Sequence, residues 1–330
     1  MLFRSKEASY RVTHLQSAQP ISWGHYLLAF AEMFKRDFRR LYAYRELHSV
    51  CPLGAGALAG STLPLDPAAT ARALDFDTAF SNSYDVVGDR DFILELLQIG
   101  VQIMLHVSRL AEDFIYLSST PVGWIDLPEA LCTGSSMMPQ KKNPDVLELA
   151  RGKTASVAGY AFGMTTLLKG LPSSYNRDLQ QDKEQIFGAV SIVADTLAIL
   201  PAVVDGFTVR AERVQAALRE GFLMATDLAE YLVGRGVPFR AAHAQVGKLV
   251  AYCVERDTRL DDLSLDVIRQ FAPEAGEDVL ETVRVEESLQ RRAHRGGTGL
   301  ASVEDQLAEW DAWLERQNRA LCSDKFSPDT

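Results

Sequence analysis

Residues 134–148 read Gly134-Ser135-Ser136-Met137-Met138-Pro139-Gln140-Lys141-Lys142-Asn143-Pro144-Asp145-Val146-Leu147-Glu148. A glycine and two serines open a segment with little to bury. Lys141 and Asn143 stand two positions apart, so an extended backbone points them the same way. Asn143-Pro144 reads as N-cap and first helical residue. Glu148 then falls on the second turn of the helix that follows. A hydroxyl, a cation, an amide and a carboxylate thus gather around a helix N-terminus, a place suited to anions.

Working outward, that helix runs from Pro144 to about Leu168, where Lys169-Gly170-Leu171-Pro172 ends it. Tyr175 to Glu184 opens another, continuing to about Val204. Upstream, Asp89 to about Ser118 carries Ile93, Leu94, Leu96, Leu97, Ile99, Val101, Ile103, Met104 and Leu105 with almost no polar face. A helix apolar nearly all round is buried on all sides, here at the centre of a bundle completed by other subunits. Pro20 and Ser22 start a further helix to about Leu47, with Leu27, Leu28, Phe30, Ala31, Phe34, Phe38 and Leu41 at helical spacing. Residues 1–12 read as irregular, and Pro52–Gly60 is too glycine-rich for a helix interior.

Composition shifts near residue 208, after which helices shorten and loops multiply. The expected pieces are Asp227–Val233, Pro238–Arg256, Leu265–Phe271 and Val279–Val283, a turn at Arg295–Gly299, and a last helix starting at Ser302. That helix buries Leu307, Trp310 and Leu314, and the tail from Ser323 frays. The expected domains are a central helical bundle over 1–208 and a smaller helical domain over 209–330.

The 330 residues carry a net charge of −10 and 47% apolar side chains. That supports a large core and argues against a nucleic-acid or anionic-membrane surface. Cys51, Cys132, Cys253 and Cys322 are scattered without metal-ligand spacing. A reduced, cytoplasmic chain without metal or cofactor is expected. No apolar leader segment stands at the N-terminus, and no uncharged apolar run reaches membrane-spanning length.

The string 134–144 resembles the signature Gly-Ser-Ser-x-Met-Pro-x-Lys-x-Asn-Pro of the fumarase/aspartase superfamily. Its Gln140–Asp145 version looks like the argininosuccinate lyase family. Thr13-His14-Leu15-Gln16-Ser17-Ala18-Gln19-Pro20 resembles that family's Thr-His-x-x-x-Ala-Gln-Pro block. So do Pro52–Gly60, Lys169–Glu184, Ala225–Ala229 and Gly236–His243, and the similarity runs from about residue 13 to the final helix. The resemblance implies an all-α bundle of long, nearly antiparallel helices and a tetrameric assembly, or one with a companion lyase chain. It also implies cleavage of argininosuccinate to arginine and fumarate.

That chemistry takes a proton from the carbon beside a carboxylate and forms a doubly charged aci-carboxylate, which calls for fixed donors and cations in a dry site. The resemblance makes Ser135 the base. A serine hydroxyl serves only when N–H donors and a nearby cation stabilise its alkoxide. It pairs His14 with Glu148, to bind a substrate carboxylate or to protonate the departing nitrogen; water is the other proton source. Thr13, Lys141, Asn143, Tyr175, Gln180 and Lys183 become substrate contacts, and Gln180 and Lys183, three apart on a helix, share a face. The other five histidines read as structural.

Members of the family also carry an N-terminal block containing Ser-Arg-Asn-Asp, which this sequence does not show ahead of Thr13. Each site in the superfamily draws its blocks from three subunits. The expectation is a truncated form or a need for a companion chain. A non-catalytic assembly protein, for which lens crystallins are the precedent, and a sibling fumarate-releasing lyase are the other two readings.

Overall fold

The computed structural model describes the backbone of residues 8–322 and the side chains of residues 12–320. The Cys322 side chain, the tail from Ser323 and the first seven residues lie outside that range.

Strands β1 (Ala8–Thr13) and β2 (Gln16–Ser22) form an antiparallel hairpin, and α1 (Trp23–His48) follows. Next come β3 (Val50–Cys51), α2 (Pro67–Ala73), β4 (Thr78–Ala79) and α3 (Ser83–Val86). The long α4 (Asp91–Ser118) precedes β5 (Ile125–Asp126), β6 (Thr133–Gly134) and β7 (Lys142–Asn143). Two more long helices, α5 (Asp145–Leu168) and α6 (Asp182–Gly206), lead to β8 (Thr208–Val209). The rest is helical: α7 (Ala211–Leu218), α8 (Ala225–Gly234), α9 (Phe239–Glu255), α10 (Leu265–Phe271), α11 (Val279–Thr282), α12 (Val285–Arg291) and α13 (Leu300–Cys322). The helical fold class expected from the sequence is the one observed. Pro20 does not open a helix: it pairs with Tyr10 in the hairpin, and α1 begins only at Trp23.

The chain divides into two compact units, one of residues 30–208, the other of residues up to Ala29 together with 209 onward. The expected 1–208 domain therefore loses its first segment to the C-terminal unit. The reason is local packing: Ser22 N–H donates to Thr298 Oγ1 at 2.8 Å, and the hairpin packs on α7 and α12.

In the unit of residues 30–208, α4, α5 and α6 enclose a core of Ile93, Leu97, Met104, Val157, Ala161, Met164 and Ala189. A fully buried aliphatic or Met side chain of this kind contributes about 1.5–3 kcal/mol. Glycine permits the close approach of α5 and α6: a Cβ on Gly188 would stand 2.6 Å from the Tyr160 ring. Helix α1 is tied to α4 by His106 Nδ1–H, which donates to the buried Asp37 carboxylate at 2.6 Å; Arg40 holds the other oxygen at 3.0 Å.

Burial on all sides holds for α4 only in part, since Leu105 is exposed. Both α4 and the run Arg177–Gly206 are long and apolar enough to cross a membrane by length and composition. Of the most apolar stretch, 44% is buried in α4 but only 22% in Arg177–Gly206. Among the exposed large apolar side chains, Leu149 and Phe162 sit on α5 and Phe187, Val190 and Leu197 on α6.

In the other unit, Arg292 grips the buried Asp227 with both guanidinium arms, at 2.7 and 3.0 Å, and also donates to Ser288. This fork joins the end of α12 to α8. Helix α13 starts at Leu300, so Ser302 lies inside its first turn rather than capping it. Its buried face carries Val303, Trp313 and Gln317, while Leu314 is exposed.

Candidate active site

The loop that opened the sequence reading is clipped at its base. Thr133 pairs with Asn143 and Gly134 with Lys142 across β6 and β7. Two side chains reinforce the clip. The Thr133 hydroxyl donates to the Asp145 carboxylate. Lys142 Nζ donates to Asp126 Oδ1 at 3.2 Å and to the Leu127 carbonyl. Between these anchors, residues 136–141 are exposed and Ser135 is half-buried.

The chain folds back over Ser135. Its Oγ accepts from the backbone N–H of Met137 at 3.3 Å and of Met138 at 3.1 Å, the local serine turn that competes with regular structure. Two fixed donors on one hydroxyl oxygen favour negative charge there, as in an oxyanion site.

The neighbouring residues depart from the sequence reading in detail. Asn143 is not an N-cap: its backbone is committed to the β7 ladder, Pro144 holds the N-cap position without a side-chain bond, and α5 begins at Asp145. Glu148 therefore lies in the first turn, exposed. Lys141 directly precedes the two-residue strand, and its N–H donates to the Met138 carbonyl at 3.0 Å. It is exposed, and among the described residues it forms no ion pair.

Residues 169–184 form the second part. Tyr175 and Gln180 come together, Gln180 Nε2 donating to the Tyr175 hydroxyl at 3.1 Å. Gln180 belongs to a 3₁₀ turn, Arg177–Gln181, that runs directly into α6, where Lys183 stands, and both side chains are exposed. Lys183 Nζ stands 2.7 Å from Asp182 Oδ1, an ion pair bent away from hydrogen-bond geometry. The other oxygen of Asp182 accepts from Arg90 Nε at 2.6 Å. Burial pushes the Asp182 carboxyl up, but its contacts with Lys183 and Arg90 outweigh that and hold it below the ordinary carboxylate value. A cavity of about 960 Å³ opens here, and its lining includes Arg90, Asp182, Lys183, Asn82, Phe80 and Phe187.

Thr13 and His14 occupy the tip of the hairpin in the other unit, and both are exposed. His14 and Leu15 have φ of 57° and 58°, the left-handed pair of a two-residue hairpin turn. Ser135, Lys141, Asn143, Glu148, Tyr175, Gln180 and Lys183 all belong to the unit of residues 30–208. The expected partners His14 and Glu148 are thus carried by different units.

Sequence reasoning passed over Arg90, Asp182 and the Lys142–Asp126 anchor. Asp182 stood in the quoted string beside Lys183, but Arg90 is separated from it by 92 positions, and no local pattern joins them.

Two family models match the chain: "Lyase" over residues 10–159 and "Argininosuccinate lyase C-terminal" over residues 222–290. Argininosuccinate lyase of Frankia casuarinae is 49% identical over 92% of this chain and 66% of its own length. That of Maridesulfovibrio salexigens is 46% identical over the same shares. The chain thus spans about two thirds of the length of these relatives. Among solved structures, an EDDS lyase in complex with formate superposes with a TM-score of 0.80 at 27% identity, over 96% of this chain and 67% of its own. A class II fumarase from Schistosoma mansoni gives 0.72 at 18% identity over 86% of this chain and 62% of its own, a likeness of fold alone. On its sequence, through both matched segments and across 92% of its residues, the chain belongs to the argininosuccinate lyase family.

Proposed function

We propose that this protein is a carbon–nitrogen lyase that cleaves argininosuccinate to arginine and fumarate, as a step of arginine biosynthesis in the cytoplasm. The observation that carries the reading is the Ser135 hydroxyl, seated on two backbone N–H groups at the mouth of a clipped, otherwise exposed loop. A base for a weak carbon acid needs this setting, and the relatives' identity supports the substrate.

Ser135, as alkoxide, takes the proton from the carbon beside a succinyl carboxylate. The electron pair moves into that carboxylate, giving the aci-form, which Lys141 and Asn143 stabilise together with the N-terminus of α5. The pair then returns to form the carbon–carbon double bond as the carbon–nitrogen bond breaks. The guanidino nitrogen leaves with its electrons and takes a proton from His14, oriented by Glu148, or from water. Tyr175, Gln180 and Lys183 hold the carboxylate of the arginine part, and Thr13 contacts the succinyl part. The exposed loop 135–141 closes over bound substrate and excludes water.

The assembly we propose is a homotetramer, or a mixed oligomer with a longer lyase chain. The uncovered apolar side chains of α5 and α6 support it, since a surface patch of this kind marks an interface.

Fumarate release from argininosuccinate, read as ultraviolet absorbance, tests the reading. The chain is assayed alone and mixed with a longer family member inactivated at its own Gly-Ser-Ser serine. Equal amounts of fumarate and arginine from either sample are expected. No product from either, or release from adenylosuccinate or aspartate instead, overturns it.

A further inference from the structure

The strongest unused feature is the buried carboxylate of Asp182. Its side chain is 2% exposed, yet it lies between two cations: Arg90, 15% exposed, and Lys183, 60% exposed. Arg90 also donates to the Asp89 carbonyl at 2.6 Å, so its guanidinium is fixed from two sides. Burying a charge cluster of this sort is weak evidence for stability, because desolvation cancels most of the attraction. What it does supply is geometry. A lysine carries a compact charge on a flexible stem and loses much rotamer freedom when held. Here the stem is held at its end by an oxygen that Arg90 and the start of α6 keep in place.

Arg90, Asp182 and Lys183 together carry one net positive charge, in a cavity whose lining also includes Asp85 and Asp89. One Asp182 oxygen accepts from Arg90, and the other stands 2.7 Å from the Lys183 ammonium, which has three N–H donors. Lys183 itself lines the cavity and is 60% exposed.

We infer that Asp182, anchored by Arg90, is a positioning residue that sets the Lys183 ammonium at the edge of this cavity, ready for a substrate carboxylate remote from the bond that breaks. This rests on the proposed reading, in which Lys183 meets the arginine-side carboxylate. Because that carboxylate does not change charge in the reaction, the pair acts on binding and not on the proton transfer.

The test uses Asp182→Asn, Lys183→Met and the double variant in the full chain, with two readouts. In steady-state fumarate release, Asp182→Asn raises KM about tenfold with kcat within about twofold, as expected for losing the placement of one charge-assisted contact. The double variant is no worse than Lys183→Met alone. Multiplying effects, or a loss confined to kcat, overturn the inference. The second readout needs no turnover: labelling of Lys183 by an amine-reactive reagent, followed by mass spectrometry. It speeds up several-fold in Asp182→Asn, and an unchanged rate overturns the inference. A wild-type chain that releases no fumarate counts against the proposed function, while the labelling rates still decide this point. If Asp182→Asn does not fold, the pair Arg90→Met with Asp182→Leu removes both buried charges at similar volume. It must show the same faster labelling.

Discussion

The Ser135 hydroxyl oxygen lies 3.1 Å from the backbone nitrogen of Met138 and accepts its hydrogen bond. With the Met137 N–H this makes a two-donor cradle around the first serine of the loop. Ser136 is exposed and has no such cradle. Ser136→Ala is therefore expected to keep kcat within about threefold of wild type, since a side chain outside the donor set stabilises no developing charge. Steady-state fumarate release measures this. A loss comparable to that of Ser135→Ala would move the base to the second serine.

The clip at the loop base sets its mobility. Residues 136–141 are exposed, so their amides should exchange quickly without ligand and slow when substrate closes the loop. Lys142→Met removes the tie to Asp126 and the Leu127 carbonyl. The ion pair is partly exposed, so folding stability should fall by less than about 1 kcal/mol. Exchange in 135–141 should nevertheless rise, and substrate should protect the loop less. Hydrogen exchange with and without argininosuccinate measures both, and equal protection in the two states would remove the closing loop.

Asp182 gives stability a pH signature. Its carboxyl is held below the ordinary value of 3.8 in the folded chain, so unfolding at low pH is accompanied by proton uptake. Its contribution is fully present above that ordinary value and is lost as pH falls through the lower folded value. The wild-type melting temperature should therefore drop more steeply below about pH 4 than that of Asp182→Asn. Thermal melts from pH 7 to pH 2.5 measure the difference. Parallel curves would mean that Asp182 is not held in its charged form.

The uncovered faces of α5 and α6 make the assembly testable apart from catalysis. Phe162 is 70% exposed and Phe187 68% exposed in the single chain. Phe162→Glu with Phe187→Glu places charges where the interface is proposed, and buried unpaired charge is strongly unfavourable. The expected outcome is loss of the oligomer with helicity retained, read by light scattering and circular dichroism. An unchanged oligomer would put the interface elsewhere.

The long helices were legible because their apolar spacing is regular and glycine or proline marks their ends. Ranges read from sequence for α4, α5 and α9 lie within two residues of those observed. The hairpin was not legible. Its turn uses His14-Leu15 in place of Asn-Gly, and Pro20 sits within β2, where proline argues against a strand. Asn143-Pro144 carried a helix-start signal that lost to the β6–β7 ladder, a pairing across residues 133–143 that no local pattern announces. Of the site residues, those in the signature loop were found from the string itself. Arg90 was not, because a buried ion pair between distant segments leaves no trace in either one.

The most direct test compares two variants in rapid-quench turnover of argininosuccinate, in whichever sample the wild-type chain is active. Ser135→Ala removes the proposed base, and its fumarate formation should fall by a factor of about a thousand or more while substrate binding is kept. His14→Asn should cost less, because water can protonate a guanidino nitrogen that is already a strong base. Near wild-type turnover by Ser135→Ala together with a dead His14→Asn would contradict this and make the histidine the base.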